Sequence, residues 1–251
     1  PITGEYPFLT IDATYFKARE NHRIISKAFM IAYATDDQGH REILGFGVYA
    51  NESKETWKSF IRDLKARGLR NVLMITSDAH EGLCDAISKE FPQAAWQRCQ
   101  FHFSKNIAEK APKKYQAGIR SELSEMFNCT TIEEARRKRD SIIADYQDVA
   151  ESAMTCLDEG FESSMTAMIL PKYLRQYFRT SNHIERINRE LKRRSKVIGV
   201  FPNEASILRL MGSVLMELND TAQARKALFS PKTYNKLMST EVKNKLIILA
   251  N

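Results

Sequence analysis

The sequence predicts an α/β protein: a mixed five-stranded sheet flanked by helices, interrupted by a helical stretch. Three observations carry that prediction. Residues 7–50 hold three β-rich runs joined by short turns. Residues 53–103 then alternate helical periodicity with short apolar runs. From 104 to about 178 no run has strand character, and the apolar residues recur at helical spacing.

The first strand is read at 7–16 (PFLTIDATYF) and the second at about 23–35, which contains AFMIAYA. DDQGH (36–40) is turn chemistry, and EILGFGVYA (42–50) follows as a third strand, making an antiparallel meander. SKETWKSFIRDLKARG (53–68) is helical: Ser53 can cap it, Trp57, Phe60, Ile61 and Leu64 form an i, i+3, i+4, i+7 stripe, and Gly68 stops it. NVLMITSD (71–78) is a short apolar run suited to a buried central strand. HEGLCDAISKEFP (80–92) reads as a helix ended before Pro92, and AAWQRCQFHF (94–103) as a fifth strand with Trp96 and Phe101 partly buried. In the helical stretch, Tyr115, Ile119 and Leu123 make one stripe, and Thr131 with Glu134 has capping-box spacing at the head of a helix through about Val149. Helical texture continues through 161–170, and Pro171 suits the first turn of another helix. The basic stretch 179–196 and NEASILRLMGSVLMELND (203–220) complete the pattern as two further helices, the second packing on the core. The expected organisation is a core in two parts, 1–103 and 179–251, around a helical insertion at 104–178.

Composition narrows the function. A net charge of +7 (38 Lys and Arg against 31 Asp and Glu) favours an anionic partner. The charge is concentrated: Arg186, Arg189, Lys192, Arg193, Arg194 and Lys196 stand against Glu190 alone within 186–196. Phosphate contacts from such a helix would give affinity for nucleic acid without base reading. The longest apolar run, AFMIAYA, is far too short to span a bilayer, so no membrane partner is expected. Four scattered cysteines, Cys84, Cys99, Cys129 and Cys156, show no framework spacing and suggest a reducing, intracellular setting. The absence of GxxxxGK[ST] and GxGxxG patterns leaves nucleotide-binding enzymes without support. Opening on PITGEYPFLTID with no Met, almost directly into a strand, the chain reads as a fragment lacking an N-terminal part.

Three carboxylates draw attention. Asp12 interrupts an apolar strand, where an unpaired charge is costly and a partner or a metal is expected. Asp78 ends the central strand and could equally cap the next helix. Glu185 lies three residues after Asn182, at capping-box spacing, but shares a helix face with Asn188, Arg189 and Lys192. If the first strand and the strand after the first crossover are neighbours, Asp12 and Asp78 lie side by side, and Glu185 can complete a set of hard oxygen ligands for Mg²⁺. Asn182 is then expected to cap its helix alone, leaving Glu185 pointed at the aspartates.

Three blocks resemble the catalytic core of bacterial insertion-sequence transposases allied to the Mutator elements. They are FLTIDATYFK (8–17), ITSDAHEGL with FPQAAWQRCQFHF (75–103), and TSNHIERINRELKRRSKVIGVFPNEAS (180–206), in family order. The resemblance spans about 5–215 and implies an RNase H-like fold with an Asp-Asp-Glu triad of Asp12, Asp78 and Glu185. It implies two Mg²⁺ or Mn²⁺ ions, cleavage of DNA to 3′-hydroxyl ends, and strand transfer by transesterification. The implied partners are double-stranded DNA, both the element's terminal inverted repeats and its target, and further copies of the chain, as a homodimer or larger. The implied location is the bacterial cytoplasm, at the nucleoid. The family's Cys-x-x-His, here Cys99 and His102, is associated with the active site. It implies His102 near the scissile phosphate, able to donate a hydrogen bond or proton, with Cys99 and Asn182 as neighbours of the site. As a zinc site Cys99 and His102 supply only half the ligands. The family's N-terminal DNA-binding region lies outside these residues. Two other readings keep the same fold: a structure-selective nuclease that hydrolyses without joining, and a silent transposase-derived DNA-binding protein.

Overall fold

The computed structural model describes residues 1–238 and 240–250, with the side chain of Thr240 left aside. Five strands form a mixed sheet in the order β3-β2-β1-β4-β5: β1 Phe8–Glu20, β2 Arg23–Thr35, β3 Arg41–Tyr49, β4 Met74–Ser77 and β5 Ala95–Arg98. β1, β2 and β3 pair antiparallel in sequence, as the turn chemistry predicts. β1 runs four residues past its expected end. Glu20 pairs with Arg23 across a two-residue turn, and both turn residues, Asn21 and His22, take positive φ (47° and 63°). That turn geometry matches the twist of the strands it joins, so the hairpin can extend.

The chain forms two compact units: residues 1–75, 80–95 and 181–251 in one, and 76–79 with 96–180 in the other. In the first, α1 (Lys54–Ala66) is capped by Ser53, whose hydroxyl accepts the Thr56 N–H. Trp57, Phe60, Ile61 and Leu64 are its buried stripe, as the spacing requires. α1 packs against α2 (Glu81–Glu90). Ion pairs border that contact: Arg62 and Lys65 on Glu90, and Lys54 and Lys89 on Asp85, whose carboxyl these lysines hold down at about 2.

On the same unit, the helices of 182–195 (α7) and 204–223 (α8) close one hydrophobic cluster with the sheet. Phe16, Ala18, Phe29, Ile31 and Tyr33 meet Ile184, Ile187 and Leu191 of α7 and Ile207, Met211, Val214 and Leu215 of α8. Asn203 caps α8, accepting the Ser206 N–H at 2.9 Å. Lys27, buried in the sheet, is held between Glu20 (3.0 Å) and Glu204 (3.2 Å), which ties the start of α8 to the hairpin. Phe201 bridges to Ala18 and extends the ordered backbone beside β1.

The second unit is built from α3 (Gln100–Glu109), α4 (Lys113–Phe127), α5 (Ile132–Ser164), a 3-10 turn at Thr166–Ile169 and α6 (Lys172–Phe178). Its core joins Phe103, Ile107, Ile119, Leu123, Ile142, Leu157 and Phe161. Thr131 and Glu134 form the expected capping box, but α5 runs on to Ser164 through a kink at Ala150 (φ −150°, ψ 45°). Pro171 precedes α6 at the cap position and is not in its first turn.

The expected fifth strand is corrected. β5 stops at Arg98, Cys99 becomes the residue that opens α3, and positions 100–103 are helical. Phe101 therefore falls on the outer face and is about half exposed, while Phe103 is buried. The apolar run was long enough for either structure. The decision comes from tertiary packing: the Phe103 ring lies beneath the Arg98 guanidinium at 4.3 Å and against Gly160 of α5. A Cβ on Gly160 would strike that ring and come within 2.5 Å of Arg98 Nη1, so the close approach of α3 to α5 requires a glycine there.

Candidate active site

Asp12 sits in the middle of β1, opposite Ile31 of β2. Alternation puts Thr10, Asp12, Thr14, Phe16 and Ala18 on one sheet face, and Phe16 and Ala18 belong to the cluster that packs under α7. The half-buried Asp12 carboxylate accordingly faces that helix: Asn188 Nδ2 donates to Asp12 Oδ2 at 2.9 Å. Glu185 lies one turn earlier on α7 and is also half-buried. Ile184, Ile187 and Leu191 anchor the helix by its apolar stripe, which fixes the rotation that turns Asn188 toward the strand.

The start of α7 differs from expectation. Ser181, not Asn182, occupies the cap position; Asn182 is the exposed first helical residue and makes no side-chain cap. The Ser181 hydroxyl donates to Glu185 Oε1 at 3.0 Å, and its carbonyl accepts the Glu185 N–H at 3.0 Å. The Ser181 backbone (φ −85°, ψ 17°) lies outside the extended region a capping side chain needs. Glu185 is therefore neither the second half of a capping box nor free of its helix start: a serine one turn back holds one carboxylate oxygen.

Asp78 follows β4 directly, and β4 is the sheet neighbour of β1. The cap position of α2 belongs to His80. The backbone around it is pinned within its own unit. Thr76 Oγ1 donates to the Phe178 carbonyl (2.7 Å), the Cys99 N–H to the Ser77 carbonyl (2.7 Å), and the Gln100 N–H to the Arg179 carbonyl (3.0 Å). Trp96 Nε1 donates to Ser77 Oγ at 2.9 Å. Cys99 is buried at the mouth of α3, and His102 is half-buried in its first turn, edge-on to Phe101 at 5.4 Å. The Cys-x-x-His spacing therefore spans a strand end and a helix start, not a continuous strand.

The expected DNA-facing cations are all exposed on α7 or just after it, but they are not equivalent. Arg193 and Arg194 both bind Glu190, at 2.6 and 2.8 Å, and hold its carboxyl down at about 2; Arg194 also reaches Glu217 at 3.5 Å. Arg186, Arg189, Lys192 and Lys196 make no ion pair among the described residues. Arg189, Lys192 and Lys196 continue the face that carries Glu185 and Asn188.

Two residues of this region escaped the sequence reading. Asn188 was visible only as part of a basic helix; the available signal was a polar amide between Ile187 and Leu191, one turn from Glu185. His183 stacks on Tyr33 with ring centroids 5.7 Å apart. Burial, with Arg41, Arg186 and Arg225 adding to it, pushes its imidazole down from 6.5 to about 4. The unfolded chain takes up that proton near pH 6.5 and the folded chain only near 4. The stability contributed by the neutral ring is therefore complete above pH 6.5 and is lost as the pH falls from 6.5 to 4. At most roughly 3 kcal/mol is involved. His183→Phe is expected to flatten this fall in urea-unfolding measurements at pH 7 and 4.5 in metal-free buffer; an unchanged fall would remove His183 as its source.

The donor set around Asp12 suits a hard divalent cation. Asp12 and Glu185 offer carboxylate oxygens, and Asn188 Oδ1 is buried with no hydrogen-bond partner among the described residues. An orphaned amide oxygen beside a carboxylate is what a cation would satisfy.

The chain is thus an α/β protein with a mixed sheet, a carboxylate set mid-strand under a basic helix and a second carboxylate on that helix. Comparison with known proteins is specific: residues 1–224 match the family described as Transposase, Mutator family, and the chain belongs to that family. It is 42% identical over 217 residues to the transposase for insertion sequence element IS256 in transposon Tn4001 of Staphylococcus aureus, covering 86% of this chain and 55% of that protein. It is 37% identical over 217 residues to the transposase for IS1081 of Mycobacterium tuberculosis (86% and 52%). Identity is also 37%, over 222 residues, to the transposase for IS406 of Burkholderia multivorans (86% and 56%). The chain thus spans about half the length of these relatives. Among the described residues no helix is long and apolar enough to cross a membrane.

Proposed function

We propose that this chain is the catalytic part of an Asp-Asp-Glu transposase of RNase H-like type, with residues 104–178 as a helical insertion between the second and third acidic residues. Asp12, Asp78 and Glu185 would hold two Mg²⁺ or Mn²⁺ ions. The observation that carries the reading is the Asp12 carboxylate, mid-strand and clamped by Asn188 one turn from Glu185, in a chain of the Mutator family. When bound, the ions supply positive charge at the scissile phosphate and acidify the attacking hydroxyl group.

The protein's own groups then have separate tasks. Asp12 presents its oxygens from within β1, and Asp78 from the residue that follows β4. Ser181 restrains one oxygen of Glu185 and leaves the other available. His102 stands ready to donate a hydrogen bond or proton to the leaving 3′-oxygen, with Cys99 fixing the start of its helix. Arg186, Arg189, Lys192 and Lys196 neutralise DNA phosphates along α7, with Arg193 and Arg194 at a reduced level because Glu190 already engages them. In the first step water attacks the phosphodiester, one P–O bond forms and one breaks, and a 3′-hydroxyl is released. In the second that hydroxyl attacks a target phosphodiester, again exchanging one P–O bond for another, which is why no nucleotide energy source is needed. Joining two element ends calls for at least two copies of the chain on DNA, working at the nucleoid in the bacterial cytoplasm.

The test is product analysis with oligonucleotide element ends and plasmid target in Mg²⁺, with the remaining segments of a relative supplied. Joined strand-transfer product is expected. Hydrolysis without joining would favour a nuclease, and absence of Mg²⁺ or Mn²⁺ binding by calorimetry would favour a silent DNA-binding protein.

A further inference from the structure

We propose that Asn188 is a working part of the metal site: its N–H end steers Asp12, and its carbonyl end faces the cation. The inference rests on the reading of Asp12 as a metal ligand and extends the ligand set beyond the three carboxylates. Two contacts motivate it. Asn188 Nδ2 lies 2.9 Å from Asp12 Oδ2. Because an ionised carboxylate only accepts, the amide orientation is settled: nitrogen toward Asp12, oxygen away from it. Asn188 Oδ1 is buried and has no hydrogen-bond partner among the described residues. A buried carbonyl oxygen left without a donor calls for an explanation, and a bound cation is one of the few available. Geometry supplies the rest. The side chain projects from the same helix face as Glu185, one turn on, and its nitrogen already touches the central carboxylate of the strand.

The chemistry favours an amide at this place. Asp12, Asp78 and Glu185 bring three negative charges, and a fourth carboxylate would add repulsion in the metal-free protein. An amide oxygen is a hard ligand of the kind Mg²⁺ and Mn²⁺ accept, directly or through a water, at no cost in charge. Its other end holds Asp12 Oδ2 at 2.9 Å. Such partners of a ligating carboxylate typically govern metal affinity by about tenfold or more.

The experiment is Mn²⁺ titration of this chain, followed by electron paramagnetic resonance of free Mn²⁺, with folding checked by circular dichroism. Asn188→Ala is expected to weaken Mn²⁺ binding about tenfold. Asn188→Asp, nearly isosteric and unable to donate to Asp12, is expected to bind Mn²⁺ at least as tightly as the parent, because it restores an oxygen toward the ion. Parent-like affinity in Asn188→Ala would overturn the proposal. So would equal weakening in both variants, which would leave only the N–H contact at work. If Asn188→Ala does not fold, Asn188→Asp decides alone: parent-like or tighter binding supports the proposal, and weakened binding overturns it. Asp12→Asn separates the two levels. Loss of Mn²⁺ binding there with none in Asn188→Ala sinks the role of Asn188 alone, whereas unchanged binding in Asp12→Asn sinks the metal site with it.

Discussion

Asp12→Asn, Asp78→Asn and Glu185→Gln are each expected to lower strand transfer on element ends by roughly a thousandfold or more, the scale on which removing a preorganised charge from such a site acts. The amide replacements keep shape and hydrogen-bonding capacity while deleting the charge. In Asp12→Asn the Asn188 N–H can still donate, now to an amide oxygen, so the packing of α7 on β1 through Ile184, Ile187 and Leu191 is preserved. In Glu185→Gln the Ser181 hydroxyl retains its acceptor. Thermal stability of the metal-free protein should therefore hold or rise, because a half-buried charge has been removed. Loss of activity with retained stability is the signature of a ligand. Full strand transfer by any one of the three would end the assignment of that residue, and of the triad with it. The readout is the joined product on a gel, quantified against cleavage alone, so that an effect on the first step is separated from one on the second.

Trp57→Ala should be the most damaging single change to the fold of the first unit, costing about 3–5 kcal/mol. Trp57 is fully buried on α1, edge-on to Phe60 at 6.2 Å, and Phe60 in turn meets Tyr49 of β3 at 6.1 Å. Truncation leaves a cavity that Ile61 and Leu64, both already fully buried, cannot collapse to fill. Trp57→Phe is expected to cost far less than the volume change suggests. The indole N–H is buried with no acceptor among the described residues, so its removal relieves a desolvated donor while a ring still fills most of the space. Urea unfolding followed by circular dichroism checks both. A cost below about 1 kcal/mol for the alanine variant would show that α1 can repack.

The elements that sequence periodicity located well are those whose side chains alone demand a face: the Trp57–Leu64 stripe, the alternation in β1, the Thr131–Glu134 box. The boundary at Cys99 was misread because AAWQRCQFHF is apolar at both strand and helix spacing. The Arg98–Phe103–Gly160 packing that decides it lies about 60 residues away in the chain. The cap at α7 was misread for a related reason. Ser181 and Asn182 are both good capping residues, and only the backbone angle at Ser181 and its bond to Glu185 show that neither side chain caps.

By itself the sequence determined the α/β order of elements, the basic face of α7 and, through three ordered blocks, the family. These are local or cumulative properties, written in composition, period and spacing. Tertiary structure alone decided that Asn188 meets Asp12 across 176 positions of chain, that Ser181 restrains Glu185, and that Glu190 engages Arg193 and Arg194 while Lys192 makes no ion pair among the described residues. Those facts depend on how far each helix is rotated about its axis. That rotation is set by the burial of Ile184, Ile187 and Leu191 against the sheet, an interaction between distant segments that no local pattern encodes.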